Sequence, residues 1–482
     1  MTFNSWPFLF FLPLVFLIYW GLSNRLRWQN LFLVLASYVF YGWWDYRFLL
    51  LILITTLSSY ASGLLLECRT ERNTRRLVVA ANLVLNLGIL ACFKYFNFFA
   101  DTLQALTASV GIALDLPTLR LILPVGISFY TFQSLSYTID VYRNKLSATH
   151  DLIAFTAYIS FFPQLVAGPI ERATDLLPQM LRRRRFNHDE AVDGLRQMLW
   201  GFFKKMVVAD NCALAVNQIW AGWQEVDALM LFVGMLLFTF QIYGDFSGYS
   251  DIAIGTARLF GIRLSDNFRL PYFSRSISEF WRRWHISLMT WFRDYLYIPL
   301  GGSRVSRLVT VRNIFIVFTL SGLWHGANWT FVAWGVYNAL LLSLPVLVSS
   351  TRRPAQATLR REKPSPILSL SNLPRILLTF LLMAMGWVLF RSSTIGEAVG
   401  YLTHMMTSPL PLTPCPVGKQ ALLWCLLLVV VEWCQRDRRH VLQFPANSFF
   451  SHRALRWTVY YLIVLLILLM HGEEQTFIYF QF

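Results

Sequence analysis

Two histidines stand where an apolar chain can least tolerate an ionisable group: His285 in Glu279-Phe-Trp-Arg-Arg-Trp-His-Ile-Ser287, and His325 in Ser321-Gly-Leu-Trp-His-Gly-Ala-Asn328. An ionisable side chain at bilayer depth costs about 3 kcal/mol on insertion scales, so it is kept where it does chemistry or conduction. A neutral imidazole can take the proton of a hydroxyl as that oxygen attacks an acyl carbonyl, and its ordinary pKa lies near the working pH. No serine or cysteine sits in a GxSxG elbow, which favours direct acyl transfer with a histidine base over a covalent serine enzyme. Neither HxxxH nor ExxH spacing is present, which argues against a metal site. Each histidine taken alone has a structural alternative, a satisfied core imidazole. The pair, with Gly322, Gly326, Ser287, Ser321 and Asn328 around it, points to function.

Such a site needs helices to hold it in the membrane, and the composition supplies them. Of 482 residues 56% are hydrophobic, 16% aromatic and only 14% charged, too little polar surface for a soluble protein. Apolar runs at Trp6–Trp20, Phe48–Leu66, Leu77–Phe93, Met230–Ile242, Trp329–Leu347, Ile376–Phe390, Leu422–Val431 and Val459–Met470 approach or reach the roughly 17–25 residues that cross a hydrocarbon core. About ten to twelve spans are expected. The first run lacks a preceding basic residue and a small-residue cleavage site, so it is expected to remain as a helix. Six cysteines without CxxC or metal-type spacing imply neither disulfides nor zinc.

The net charge of +16 is clustered at Arg69–Arg76, Arg182–Arg185, Arg352–Lys363 and Arg436–Arg439, between apolar runs. That pattern is a topology signal, not a nucleic-acid footprint: it assigns these loops to the cytoplasm and the N-terminus outward. A second use of some arginines would be attraction of an anionic thioester donor. No linker or internal repeat divides the chain, so one membrane domain over 1–482 is expected, with a catalytic core at about 120–345 and closing helices at 375–482. The Ser, Pro, Thr and Arg-rich stretch Ser349–Pro374 joins the two.

The stretch Gly244–Gly302 is too polar for ordinary spanning helices and too aromatic for an exposed loop, which predicts a re-entrant segment lining a cavity. Gly244 and Gly248 permit close helix approach. Asp245 and Asp251 need partners, and Arg258, Arg275, Arg282 and Arg283 are the candidates for a buried ion-pair scaffold. Trp281, Trp284 and Leu288 would share one helical face, with His285 one turn after Trp281 and able to stack on it.

These residues carry a family resemblance. Leu123-Pro-Val-Gly-Ile-Ser-Phe-Tyr-Thr-Phe-Gln133, Phe162-Pro-Gln-Leu-Val-Ala-Gly-Pro-Ile170, Asp245-Phe-Ser-Gly-Tyr-Ser-Asp251, Phe280–Gly302, Trp324-His-Gly-Ala-Asn-Trp329 and Phe477-Ile-Tyr-Phe-Gln-Phe482 together resemble the membrane-bound O-acyltransferases. Within that family the likeness is to the bacterial alginate O-acetyltransferase branch, beside D-alanyl lipoteichoic acid transfer proteins and peptidoglycan O-acetyltransferases. The resemblance implies an all-α polytopic membrane protein, a ring of helices with re-entrant segments around a central tunnel. It places His325 at the family's essential histidine and His285 at its second histidine.

By the same resemblance, the protein would move an acyl group, most often acetyl, from acetyl-CoA or another cytoplasmic acyl thioester across the bacterial inner membrane. No bound cofactor is implied. A periplasmic partner of the SGNH type would then acetylate a polysaccharide such as alginate. Tunnel or substrate-lining roles are expected of Trp324, Asn328, Asp245, Ser247, Asp251, Arg282, Arg283, Trp284 and Gln133. For Gln133, Tyr137 and Gln164, satisfying buried backbone groups is the stronger expectation. Pro124, Gly126, Pro163, Gly168 and Pro169 read as architectural. The competing function is a proton-coupled transporter or flippase for an anionic lipid-linked substrate, with the histidines as a relay. A polyprenyl-dependent glycosyltransferase would need a base such as Asp45 or Asp101, neither of which has a motif around it, and a non-catalytic export scaffold would leave the histidines unexplained.

Overall fold

A computed structural model describes residues 1–119, 121–166, 168–348, 370–409, 417–444, 452–473 and 475–478. Most of the Ser349–Pro374 stretch, the Arg352–Lys363 cluster, Cys415 and the last four residues of the C-terminal motif lie outside these. Among the described residues the regular structure is helical. They form two compact units, Met1–Leu195 with Ala253–Ser265, and Arg196–Ile252 with Asp266–Phe482.

Among the described residues seven helices are long and apolar enough to cross a membrane, and Trp6–Gly21 is a shorter apolar one. Every apolar run read from the sequence lies on a helix. A further span, Arg307–His325, is not among the apolar runs, because its first two turns hold Arg307, Thr310, Arg312 and Asn313 and dilute its apolar signal. Ser306 starts it by accepting the Val309 N–H at 3.4 Å. Enclosure differs widely among the spans. In Ala228–Leu259, 67% of the apolar window is buried, against 6% in Arg453–Met470, whose Leu462, Leu465, Leu468 and Leu469 stay exposed as lipid-facing residues do.

In the first unit, Ile127–Tyr142 is buried along almost its whole length. Gly126 enters it with φ 74°, and a Cβ there would strike the Leu165 carbonyl. Two of the motifs quoted above therefore meet backbone to backbone, an architectural use of that glycine. Gln133 and Gln164 both donate to the Tyr158 carbonyl, at 2.7 and 2.8 Å, and the Tyr137 hydroxyl accepts the Thr149 N–H at 3.2 Å. These are bonds that satisfy buried backbone groups.

In the second unit, Ala228–Leu259 runs 32 residues without a break as far as the unit boundary and beyond it. The irregular stretch expected from Gly244 therefore begins only after Leu259: residues 244–259 continue a helix, because the glycines act as contact points and do not interrupt hydrogen bonding. Gly248 and Gly201 each lie against the other's carbonyl, at 2.8 and 2.6 Å from the place a Cβ would take. From 260 to 276 the chain is mostly non-helical, and two seven-residue helices follow, Ile277–Arg283 and Ile286–Phe292. At 1.5 Å per residue neither can cross a core of roughly 30 Å.

Candidate active site

Ser276 caps Ile277–Arg283 by accepting the Glu279 N–H at 3.2 Å, and Glu279 is held between Arg275 (3.0 Å) and Arg283 (2.6 Å). The helix then ends abruptly. Trp284 is extended, with φ −104° and ψ 129°, and His285 adopts φ 44° and ψ 53° before the next helix starts. A left-handed non-glycine residue costs of order 1–3 kcal/mol and persists only where its surroundings impose it. The expected common face of Trp281, Trp284 and Leu288 is thus absent, since it assumed one continuous helix. His285 instead faces Phe246 (ring centroids 4.7 Å), Trp324 (5.8 Å), His325 (6.2 Å) and Phe268 (6.5 Å).

The residue that imposes this backbone is Asn267, for which the sequence offered no signal. Its carbonyl accepts the Ile286 N–H at 2.9 Å, and its side-chain oxygen accepts the Ser287 hydroxyl at 2.9 Å and N–H at 3.4 Å. Its amide donates to Ser250 Oγ at 3.2 Å, tying the clamp to the long helix. One further bond, Arg269 N–H to the Arg283 carbonyl at 2.9 Å, holds the other side of the break. A single asparagine in an irregular stretch has no periodicity to mark it.

His325 is the last residue of Arg307–His325, and Asn328 opens the next helix by accepting the Thr330 N–H at 3.0 Å, while its amide donates to the Ser393 carbonyl at 3.0 Å. The hairpin of Arg307–His325 and Trp329–Val348 closes through glycine. A Cβ at Gly322 would strike the Phe331 carbonyl, and one at Gly335 the Phe318 carbonyl. That close approach places the His325 ring against Trp324 (5.0 Å), Trp334 (5.2 Å) and Phe390 (5.4 Å). Trp284 stacks on Phe280 at 5.5 Å and lies tilted against Trp387 at 4.9 Å, and Trp387 stacks on Trp334 at 5.6 Å. The two imidazoles, 1% and 4% exposed, thus border each other inside an aromatic wall.

Of the other residues expected here, Asp245, Ser247 and Asp251 come together on a lysine network. Lys204 pairs with Asp251 at 2.6 Å and donates to Ser247 at 2.9 Å; Lys205 bridges Asp210 (2.8 Å) and Asp245 (2.9 Å). The expectation of an ion-pair scaffold is right and its arginine partners are wrong. Arg258 pairs with Asp193 at 2.5 Å, and Arg275 and Arg283 with Glu279. The lysines sit on a π-helical stretch, Phe203–Ala209, in a segment where the sequence showed no motif. Asp245 also accepts the Ile478 N–H at 2.7 Å, anchoring the C-terminal segment. Arg282 is exposed and bonds Ser278 at 3.4 Å. Gln133 belongs to the first unit, the histidines to the second.

Residues 40–373 match the model of the membrane-bound O-acyltransferase (MBOAT) family. The chain is 43% identical over 402 residues to the probable alginate O-acetylase AlgI of Pseudomonas aeruginosa, covering 83% of this chain and 73% of that protein. It is 31% identical to the peptidoglycan O-acetyltransferase of Helicobacter pylori, over 92% and 91% of the two chains. The teichoic acid D-alanyltransferase of Bacillus subtilis is 28% identical over 47% of this chain and 60% of its own length.

Proposed function

Because the chain belongs to the membrane-bound O-acyltransferase family, and is by that a multi-pass membrane O-acyltransferase, we propose that it transfers acetyl groups from a cytoplasmic acyl thioester toward an extracellular polysaccharide, with His325 as the general base. The observation that carries this reading is the pair of buried imidazoles at 6.2 Å inside the tryptophan wall. His325 takes the acceptor hydroxyl's proton as its oxygen bonds to the acyl carbon. The carbon–sulfur bond then breaks, the thiolate leaves, and the proton passes from the imidazole to the departing sulfur. His285, held in its strained backbone, borders the same reacting group and orients or relays that proton. A dry wall keeps water from competing for the acyl carbon.

Alginate enters through the names of relatives that share 41–43% identity, and an SGNH-type partner on the far side of the inner membrane would carry the acetyl group to such a polymer. Arginine-rich loops on the donor side agree with a cytoplasmic thioester. The test is sidedness. Purified protein in liposomes receives labelled acetyl-CoA on one side only, with a candidate SGNH protein on the other. Label reaching that protein across the bilayer supports the reading. Donor hydrolysis without label crossing would refute the transmembrane direction.

A further inference from the structure

The arginine run Arg182–Arg185 has a use beyond topology. Residues 183–187 lie outside any helix, and within them Arg184 is buried while Arg183 and Arg185 are exposed. Arg184 is fixed below, donating to Gln29 at 3.0 and 3.2 Å and to Asn30, with its guanidinium 5.4 Å from the Tyr19 ring. Anchoring Arg184 fixes the backbone from which the exposed Arg183 and Arg185 extend. Between them and the end of Trp6–Gly21 lies a cleft of about 610 Å³, lined by Phe16, Trp20, Phe186, Ser23, Asn24 and the arginines. Its floor is aromatic: Phe186 meets Trp20 edge-on at 5.3 Å and Phe16 at 5.9 Å.

The charge around this cleft is strongly positive. Arg25 and Arg27, which follow the lining residue Asn24 in sequence, are also exposed, while of the nearest acids in sequence Glu190 pairs with Arg263 at 2.8 Å and Asp189 is exposed beside His188. The helix that supplies the floor leaves a stripe of Trp6, Phe10, Leu14 and Leu17 exposed, at 75, 73, 60 and 68%. Trp20 continues from Leu17 at helical spacing, so the stripe leads to the cleft. Cations above, an interfacial tryptophan, and an apolar stripe below match a molecule with an anionic head and hydrocarbon chains.

We propose that this cleft is a binding site for an anionic phospholipid, with the phosphodiester between Arg183 and Arg185, the glycerol region over Trp20 and Phe186, and the acyl chains along the exposed stripe of Trp6–Gly21. A soluble phosphate ligand would fill the polar rim and leave the aromatic floor and the stripe uncovered, which is why the lipid is favoured.

Lipid retention by the purified full-length protein, measured by native mass spectrometry with phosphatidylglycerol and phosphatidylcholine of identical chains, tests this. Phosphatidylglycerol is expected to be held in preference. Arg183→Ala/Arg185→Ala is expected to weaken it roughly 25-fold, about fivefold per arginine, with phosphatidylcholine unaffected. Arg183→Lys/Arg185→Lys keeps the charge and should retain most binding, which separates lost contacts from lost folding. On wild type alone, a photoreactive phosphatidylglycerol should label residues 16–24 and 183–186. Equal retention of both lipids, or labelling confined to other helices, would overturn the site. So would coenzyme A that displaces the lipid from wild type and fails to bind the double alanine variant, because the cleft would then serve a soluble phosphate.

Discussion

The site depends at residue scale on one unusual backbone conformation. His285 lies at φ 44°, and the side chain and carbonyl of Asn267 hold the residues that follow it, Ile286 and Ser287. Asn267→Ala removes both the bond to Ser287 and the bond to Ser250. If Asn267 positions the imidazole, kcat should fall, by up to roughly 100-fold for a misplacement near 1 Å, while the donor KM stays close to wild type. Asn267→Asp, which still accepts from Ser287, should recover part of the rate. A raised KM with unchanged kcat would instead assign Asn267 to substrate binding. The histidines themselves were legible in the sequence because polar groups in apolar runs stand out. Their backbone was not, since nothing in Trp284-His285 announces a break and a continuous helix fits the local propensities equally well.

Glycine contacts, at the scale of elements, decide where the histidines sit. Arg307–His325 and Trp329–Val348 approach so closely at Gly322 and Gly335 that no side chain fits between them. Gly335→Leu should therefore separate the hairpin, costing on the order of 1–3 kcal/mol or more, and shift the His325 ring away from Trp334. The expected readout is a lower melting temperature together with lost transfer. An unchanged melting temperature would mean that the helices meet elsewhere. Most elements could be read from apolar runs, each of which lies on a helix. Trp6–Gly21 and Lys419–Cys434, at 16 residues, nevertheless fall short of the spans, and seven spans among the described residues stand against the about ten to twelve expected. Arg307–His325 was hidden because its polar first turns, which hold Asn313 against the Leu300 and Gly302 carbonyls at 3.1 and 3.2 Å, mask the hydrophobic signal. The long reach of Ala228–Leu259 was hidden for the opposite reason. Its polar half, Asp245 to Asp251, looks like a loop until Lys204 and Lys205 are seen to neutralise it.

The whole molecule carries its +16 charge mostly at the edges of apolar helices, yet the two lysines of Phe203–Ala209 are taken inside, 3% exposed each. Breaking such a pair leaves a buried charge, which costs more than the pair itself contributes. Lys204→Met should therefore destabilise by about 3–5 kcal/mol, and Lys204→Met/Asp251→Leu should regain much of that loss. A double variant no more stable than the single one would contradict the ion-pair account. Opposite charges far apart in the chain follow no spacing rule, so the sequence points to the nearer arginines and not to Lys204 and Lys205.

The central claim is that His325 moves the proton during acyl transfer. His325→Gln retains a side chain of similar size that can donate a hydrogen bond but cannot accept the proton, and its assembly is checked by elution as folded protein. Transfer of label from acetyl-CoA by this variant in liposomes should fall roughly 10²- to 10⁴-fold below wild type. Folded His325→Gln protein transferring at the wild-type rate would contradict the account.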